Sequence, residues 1–197
     1  MDGMTSARFI AAIAAIDQAN AADPTFEASD GKACPKELLY AERMTRWLAR
    51  LAPDASEALQ LAARAQHIER WRVPRGDFPM DRQGYHRWRA SLARFHAERA
   101  GEILRAAGYD EGTVGRVQGL IRKERLKADP EVQLLEDVIC LVFLESYFTD
   151  FSAKHDEAKL LGILRKTWTK MSPRGRALAR ELELPEAATA LLAKALA

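Results

Sequence analysis

Apolar residues recur at helical spacing in segment after segment of this chain, and this pattern limits the fold more than any other feature. Positions three and four apart lie on the same face of an α-helix, so each segment predicts a helix with one buried face. No stretch alternates apolar and polar residues between hairpin turns, as a half-buried strand does. We therefore predict an all-α protein, a single compact helical domain with about eight or nine helices.

Proline, glycine and capping residues mark where these helices begin and end. A loop at residues 23–35 is too polar for a core element. The predicted helices span residues 5–21, 35–51, 59–73, 84–107, 110–126, 131–148, 156–171, 173–182 and 185–196.

The charge and cysteine content of the chain exclude several classes of protein. The 197 residues include 30 basic and 28 acidic side chains, so the chain is not a polycation that coats nucleic acid. Cys34 and Cys140 lie far apart without a CxxC motif, which argues against a zinc module or a disulfide scaffold. No apolar run approaches the roughly 20 residues that span a bilayer, so we expect a reduced, cytoplasmic protein without a membrane partner.

The stretch from Leu59 to Arg75 is the first candidate for a functional site. Its helical part is apolar on nearly every face, so Gln66, His67 and Arg70 need partners inside the protein. The helix should stop at Pro74, where a basic loop begins. His67 is either a core histidine bonded to a backbone carbonyl or a residue of a pocket.

The second candidate is a pair of acids, Glu136 and Asp137, inside the most apolar predicted helix. Buried carboxylates need cations or several hydrogen-bond donors, or their pKa rises until they are neutral. Asp137 therefore has three possible explanations: a site role, a structural ion pair, or simple exposure.

Several basic residues lie on or beside the helices that carry His67, His96 and Asp137. Arginine guanidinium groups fork onto phosphate or carboxylate oxygens, and each such contact is worth about 1.5–3 kcal/mol. We therefore expect a small anionic or phosphorylated ligand. The candidate ligand-binding residues are Arg43, Gln66, Arg70, Arg75, Arg89, Lys123 and Glu136.

Two short segments, QHIERW and TKMSPRG, echo the HIGH and KMSKS signatures of class I aminoacyl-tRNA synthetases. Those signatures act on a Rossmann sheet, which needs strands that this sequence does not predict. We therefore reject this interpretation.

The segments LYAERM, LAARAQHI and LLEDVICLV resemble the HD-domain superfamily of all-helical, metal-dependent phosphohydrolases. The resemblance covers residues 37–148 as an HD-like core, followed by a helical cap at residues 155–197. It implies that His67, His96 and Asp137 are catalytic and could hold a divalent metal such as Mn, Mg, Fe or Zn. Tyr40 and Ile68 stand where the superfamily has two further metal ligands, so the metal site is altered or lost.

The whole chain also resembles a bacterial and fungal family of unknown function, through segments such as ELLY, RAQHI, LEDV and KMS. Some members of that family carry the label of glutamyl-tRNA synthetase. The likeness implies no established activity.

Two functions follow from these observations, and the sequence leaves both open. The first is an enzyme of the phosphohydrolase type that acts on a small phosphorylated metabolite or nucleotide, with His67 or His96 as general acid or base. The second is a non-catalytic module, derived from an HD domain, that senses a ligand or binds a protein partner. An RNA-binding protein is not expected, because acidic residues balance the basic ones along most helices.

Overall fold

The computed structural model describes residues 6–29 and 31–196 and confirms a mostly α-helical protein. The predicted start of the first helix at Thr5 lies outside the described residues. Within those residues, no helix combines the length and the apolar character that a membrane crossing requires. The elements in chain order are α1 (Ala7–Ala21), β1 (Phe26–Ser29), β2 (Lys32–Pro35), α2 (Lys36–Leu51), α3 (Glu57–Arg64), α4 (Arg82–Ala106), α5 (Glu111–Ile121), α6 (Pro130–Val142), α7 (Phe148–Ser152), α8 (Glu157–Lys170), α9 (Pro173–Arg180) and α10 (Glu186–Leu196).

The prediction that the chain has no strands is wrong for the segment between α1 and α2. Strands β1 and β2 pair antiparallel, with Phe26 opposite Pro35 and Ser29 opposite Lys32. Each strand has only four residues, too few to show the alternation that identifies a strand in a sequence. Gly31, directly before β2, has φ +75°, a conformation that glycine adopts without steric cost.

The helix that was expected to carry His67 ends earlier than predicted. Helix α3 stops at Arg64, and the chain continues through turns into a short 3₁₀ helix at Arg70–Arg72. Glu69 has a left-handed backbone with φ +49°, and its N–H donates to Oδ1 of the buried Asn20 at 3.0 Å. His67 therefore lies in a turn that a long-range hydrogen bond to α1 holds in place.

The described residues group into two compact units. The first unit comprises the chain up to Arg46 together with Asp54–Glu124, and the second comprises Trp47–Pro53 together with the chain from Arg125 onward. The predicted HD-like core at residues 37–148 therefore includes parts of both units. That core and the single-domain organisation remain predictions.

In the first unit, α5 packs against α3 and α4, and α1 packs against the same two helices. Side-chain caps begin several of these helices; for example, Ser56 Oγ accepts the N–H of Leu59 at the start of α3. Such a cap is worth about 1 kcal/mol. The fully buried core of this unit includes Ile16, Leu59, Leu61, Leu92, Leu104 and Leu120.

In the second unit, α6 packs against α8 and α9, and α10 packs against α7 and α8. A five-residue π-helical turn at Phe143–Tyr147 joins α6 to α7. The end of α2 also belongs to this unit, where Trp47 Nε1 donates to Glu145 Oε2 at 2.7 Å. Its core includes Leu51, Leu135, Val138, Leu141, Phe148 and Leu164.

Candidate functional site

The first unit contains a cavity of about 220 Å³, which we call the cationic cavity. Its walls come from the turn after α3, the middle of α4 and the C-terminal end of α5. Four of its polar residues carry a positive charge, and no carboxylate is among the described residues that line it. The polar lining residues are Gln66, His67, Arg70, Arg89, His96, Arg122 and Lys123.

His67 lies between the Tyr40 ring and the carboxylate of Glu37. The imidazole stacks on the Tyr40 ring, with the ring centroids 4.0 Å apart and the planes 12° apart. His67 Nδ1 lies 3.4 Å from Glu37 Oε2. Burial and the nearby Arg70 guanidinium hold the pKa of His67 well below its ordinary value, and Arg89 and Lys123 add to the effect. The imidazole is therefore neutral near pH 7.

His96 is a second neutral imidazole in the wall of the same cavity. Its ring centroid lies 5.8 Å from that of His67. His96 Nδ1 lies 2.8 Å from the backbone oxygen of Ile68, which can only accept, so Nδ1 carries the proton. Burial, followed by the neighbouring His67, lowers the pKa of His96.

Two polar atoms at this cavity lack a hydrogen-bond partner in the part of the chain that the structure describes. They are Nε2 of His96 and Oε1 of Gln66, and both residues are buried. Because buried polar atoms are usually hydrogen-bonded, these two acceptors indicate a surface that can receive donors from a ligand. Both belong to residues that line the cationic cavity.

Glu37, in the first turn of α2, is the acidic neighbour of this cavity. The residue is only 5% exposed, and its backbone N–H donates to Asp23 Oδ2 at 3.0 Å. Burial raises the pKa of Glu37 to about 7, although the Arg70 charge opposes this change. The carboxyl group therefore gains and loses a proton near neutral pH.

Arg70 is held at the cavity by an aromatic neighbour. Its guanidinium carbon lies 4.8 Å from the centroid of the Trp88 ring, and Trp88 Nε1 donates to the Val73 oxygen at 2.9 Å. Its Nε lies 4.0 Å from Glu37 Oε1. Burial lowers the pKa of Arg70, although a guanidinium stays charged at neutral pH. This stacking orients the guanidinium group, whose N–H groups can donate to a bound anion.

Lys123 reaches the cavity from a backbone conformation that is unusual for lysine. Its φ is +58°, in the left-handed region. The Lys123 N–H donates to the Leu120 oxygen and the Glu124 N–H to the Gly119 oxygen, which is the hydrogen-bond pattern of a Schellman cap at the end of α5. Glycine is the usual residue at this position, so a lysine here points to a role for the side chain.

The other predicted cations, and Arg122, which was not predicted, differ in their surroundings. Arg89 lines the cavity and forms no ion pair within the described residues. Arg122 also lines it, but its Nε donates to Glu124 Oε1 at 2.7 Å. Arg43 and Arg75 lie outside the lining. Arg43 donates to Glu27 Oε1 at 2.5 Å, and Arg75 donates to the Phe78 and Pro79 oxygens.

Asp137 belongs to the second unit, where it has its own hydrogen-bond donors. Oδ1 accepts from the Ser172 N–H at 2.8 Å and from the Gln133 amide at 3.1 Å, and Oδ2 accepts from the Ser172 hydroxyl at 2.5 Å. Ser172 in turn caps α9 through Gly175 N–H. These contacts explain the complete burial of Asp137 without a ligand.

The neighbouring acid, Glu136, is also buried and lies 3.4 Å from Lys170 Nζ in the same unit. Of the explanations open from the sequence, the contacts of both acids favour structural roles. Site roles for Glu136 and Asp137 remain predictions.

The side chains do not fit the metal that the HD resemblance implies. Among the described residues, no group of three or more His, Cys, Asp or Glu side chains is arranged to hold a metal ion. Both oxygens of Asp137 already accept hydrogen bonds, and Nδ1 of His96 is engaged by Ile68. We therefore derive no step through a metal held by His67, His96 and Asp137.

Sequence reasoning missed Glu37, the acid closest to His67. Its position in the first turn of a helix has an ordinary explanation, because acidic residues stabilise helix N-termini. Only the fold brings this turn next to a histidine 30 residues later in the chain. The ELLY segment, which begins at Glu37, was the sequence signal nearest to it.

Comparison with known proteins identifies a family but no activity. A family model described as a domain of unknown function, DUF4202, matches residues 10–192. No curated protein and no solved structure shows a significant match to the chain. The site must therefore be interpreted from its own chemistry.

Proposed function

We propose that this chain, which belongs to the DUF4202 family of unknown function, binds a small phosphorylated metabolite in the cationic cavity and hydrolyses its phosphate ester. The charge of the cavity is the observation that carries the proposal. Four cations line it, and no carboxylate is among its described lining residues. A phosphate dianion offsets two of these positive charges and can accept hydrogen bonds from several of the cations at once.

Three of the cations are suited to hold the phosphate. Trp88 orients the Arg70 guanidinium, and Arg89 forms no ion pair within the described residues. The cap of α5 fixes the backbone of Lys123 at the cavity. Each charge-assisted hydrogen bond to the phosphate is worth about 1.5–3 kcal/mol. Arg122 contributes less, because Glu124 already accepts from it.

His67 is the proposed general base. Because its Nδ1 lies beside Glu37, the lone pair of Nε2 is the one that can accept a proton. In this step a water oxygen bonds to phosphorus while Nε2 takes the water proton. The ester P–O bond breaks, its electrons go to the leaving oxygen, and that oxygen takes a proton from solvent. The acceptor Nε2 of His96 can orient the attacking water.

One observation favours the second candidate function, binding without turnover. The burial and the cations that keep His67 neutral also lower its pKa far enough to make it a weak base. A module that only senses a phosphorylated ligand needs the cations but not the base. The two candidates therefore share a binding site and differ in turnover.

Titration calorimetry with inorganic phosphate tests the binding step. We expect Arg89→Ala to weaken binding about ten- to hundredfold, since it removes one charge-assisted contact. Arg87→Ala is the matched control, because Arg87 is an exposed arginine on the same helix that does not line the cavity. Equal weakening by both variants would show that the phosphate responds to net charge alone, which contradicts the proposal.

Phosphate release from a panel of phosphate esters, with and without added Mn²⁺, tests the chemical step. We expect His67→Ala to abolish release while inorganic phosphate still binds. Tight binding with no release by the unaltered protein from any ester would support the sensing module instead.

A further inference from the structure

The first unit contains a second cavity, of about 180 Å³, which the proposed function does not use. We call it the tryptophan cavity. Arg70 lines both cavities, so a single side chain forms part of the wall of each. Its charged and aromatic lining residues are Asp23, Lys36, Glu37, Arg70, Trp71, Arg75 and Trp88.

The carboxylate of Glu37 is the most unusual group in the tryptophan cavity. Its two oxygens have charged or polar neighbours at 4.0 Å (Arg70 Nε) and 3.4 Å (His67 Nδ1). Apart from the long contact with His67 Nδ1, neither oxygen has a hydrogen-bond donor among the described residues. A nearly buried carboxylate with so few donors is costly, so it favours a ligand that brings donors of its own.

The charges of this cavity indicate what kind of donor fits. Lys36, Arg70 and Arg75 already supply three positive charges, against at most two negative charges from Asp23 and Glu37. An ammonium group would meet those cations at close range, whereas a neutral hydroxyl meets no such repulsion. Two adjacent hydroxyls can donate to the two oxygens of one carboxylate.

The aromatic walls of the cavity fit the same kind of group. Trp71 and Trp88 both line it, and Trp88 is held in place by its hydrogen bond to the Val73 oxygen. A sugar ring presents hydroxyls at its edge and C–H groups on its faces. The C–H groups can pack on the Trp71 indole, since Arg70 already stacks on Trp88, while the hydroxyls reach Glu37.

We infer that the ligand is a sugar phosphate, whose phosphate lies in the cationic cavity and whose hydroxyls lie in the tryptophan cavity and donate to Glu37. This inference rests on the proposed function, because the phosphate is placed by the same cations. Arg70, which lines both cavities, contacts the ligand between its two ends.

Titration calorimetry with four probes tests the inference: inorganic phosphate, methyl phosphate, ribose 5-phosphate and glucose 6-phosphate. Methyl phosphate has the ester but no hydroxyl. We expect at least one of the sugar phosphates to bind ten times or more tighter than methyl phosphate. Trp71→Ala should remove this advantage and leave the affinity for inorganic phosphate unchanged. Trp71→Phe, which keeps an aromatic face, should retain most of the advantage.

Glu37→Gln should also reduce the preference for the sugar phosphate, and circular dichroism checks that this variant is folded. Equal affinities for methyl phosphate and both sugar phosphates would overturn the inference and leave the proposed function intact. Guanosine monophosphate serves as a fifth probe. If it binds much tighter than either sugar phosphate, the inference is also overturned, in favour of a nucleobase at Glu37. If none of the phosphates binds, the proposed function itself fails.

Discussion

Replacing Lys123 by glycine should stabilise the fold and weaken ligand binding at the same time. The left-handed backbone at φ +58° costs a lysine about 1–2 kcal/mol, which glycine does not incur. Glycine also increases the conformational entropy of the unfolded chain, which lowers the free energy of unfolding by about 0.4–1 kcal/mol. The difference, about 0–1.6 kcal/mol, predicts that the free energy of unfolding rises, with about 0.8 kcal/mol as the midpoint.

The same substitution removes one cation from the cationic cavity. The loss of one charge-assisted hydrogen bond, about 1.5–3 kcal/mol, corresponds to about ten- to hundredfold weaker phosphate binding. A substitution that raises the stability and weakens phosphate binding would identify Lys123 as a residue whose side chain serves binding at the expense of stability. Urea denaturation measures the first effect, and titration calorimetry with inorganic phosphate measures the second.

Two further variants separate the backbone effect from the charge effect. Lys127→Gly is the matched control, since Lys127 also has a left-handed backbone, at φ +77°, is exposed, and does not line the cavity. It should stabilise the protein to a similar degree and leave phosphate binding unchanged. Lys123→Ala keeps the strained backbone and should weaken binding without adding stability. A Lys123→Gly protein that is less stable and binds phosphate normally would refute the reasoning.

Two other predictions concern the buried carboxyl groups. Asp137→Ala should lower the free energy of unfolding by about 2–4 kcal/mol, because the Ser172 donors lose their acceptor. Urea denaturation measures this loss. If the variant keeps normal stability and loses phosphate affinity, the site role predicted from the sequence is supported instead. Burial raises the pKa of Glu37 to about 7 from an ordinary 4.5, so between these values the folded chain holds a proton that the unfolded chain has lost. Stability should therefore fall as the pH rises through this window, by about 3 kcal/mol relative to Glu37→Gln, and equal pH profiles of the two proteins would contradict this.

Much of the helical structure could be predicted because helix signals are local. The periodic apolar residues of α4 predicted a helix at residues 84–107, and the helix found is Arg82–Ala106. The end of α3 could not be predicted in the same way. It depends on Asn20, which accepts the N–H of Glu69 from 49 residues away in the chain. The hairpin β1–β2 was missed because its strands are too short for a periodic signal.

The candidate site shows a similar division between local and long-range information. Residue type and helical spacing identified six candidate site residues that line one cavity. They are Gln66, His67, Arg70, Arg89, His96 and Lys123. Their roles in that cavity remain predictions. Charge alone could not separate these residues from Arg43 and Arg75, whose partners are set by the fold. The same limit applies to Asp137, since a buried carboxylate in a ligand site and one that holds a helix cap look alike in a sequence.

The cations of the cationic cavity link ligand binding to the basicity of His67. Without a ligand, burial and the charges of Arg70, Arg89 and Lys123 lower the pKa of the imidazole, so its lone pair stays available. In the proposed complex, a phosphate dianion offsets part of this positive charge and so reduces the electrostatic part of the effect, while burial, the larger cause, remains. On this proposal, His67 is a stronger base when the phosphate is bound, which is the state in which it must take a proton from water. The weak basicity that favours a sensing module in the free protein is in this way compatible with hydrolysis in the complex.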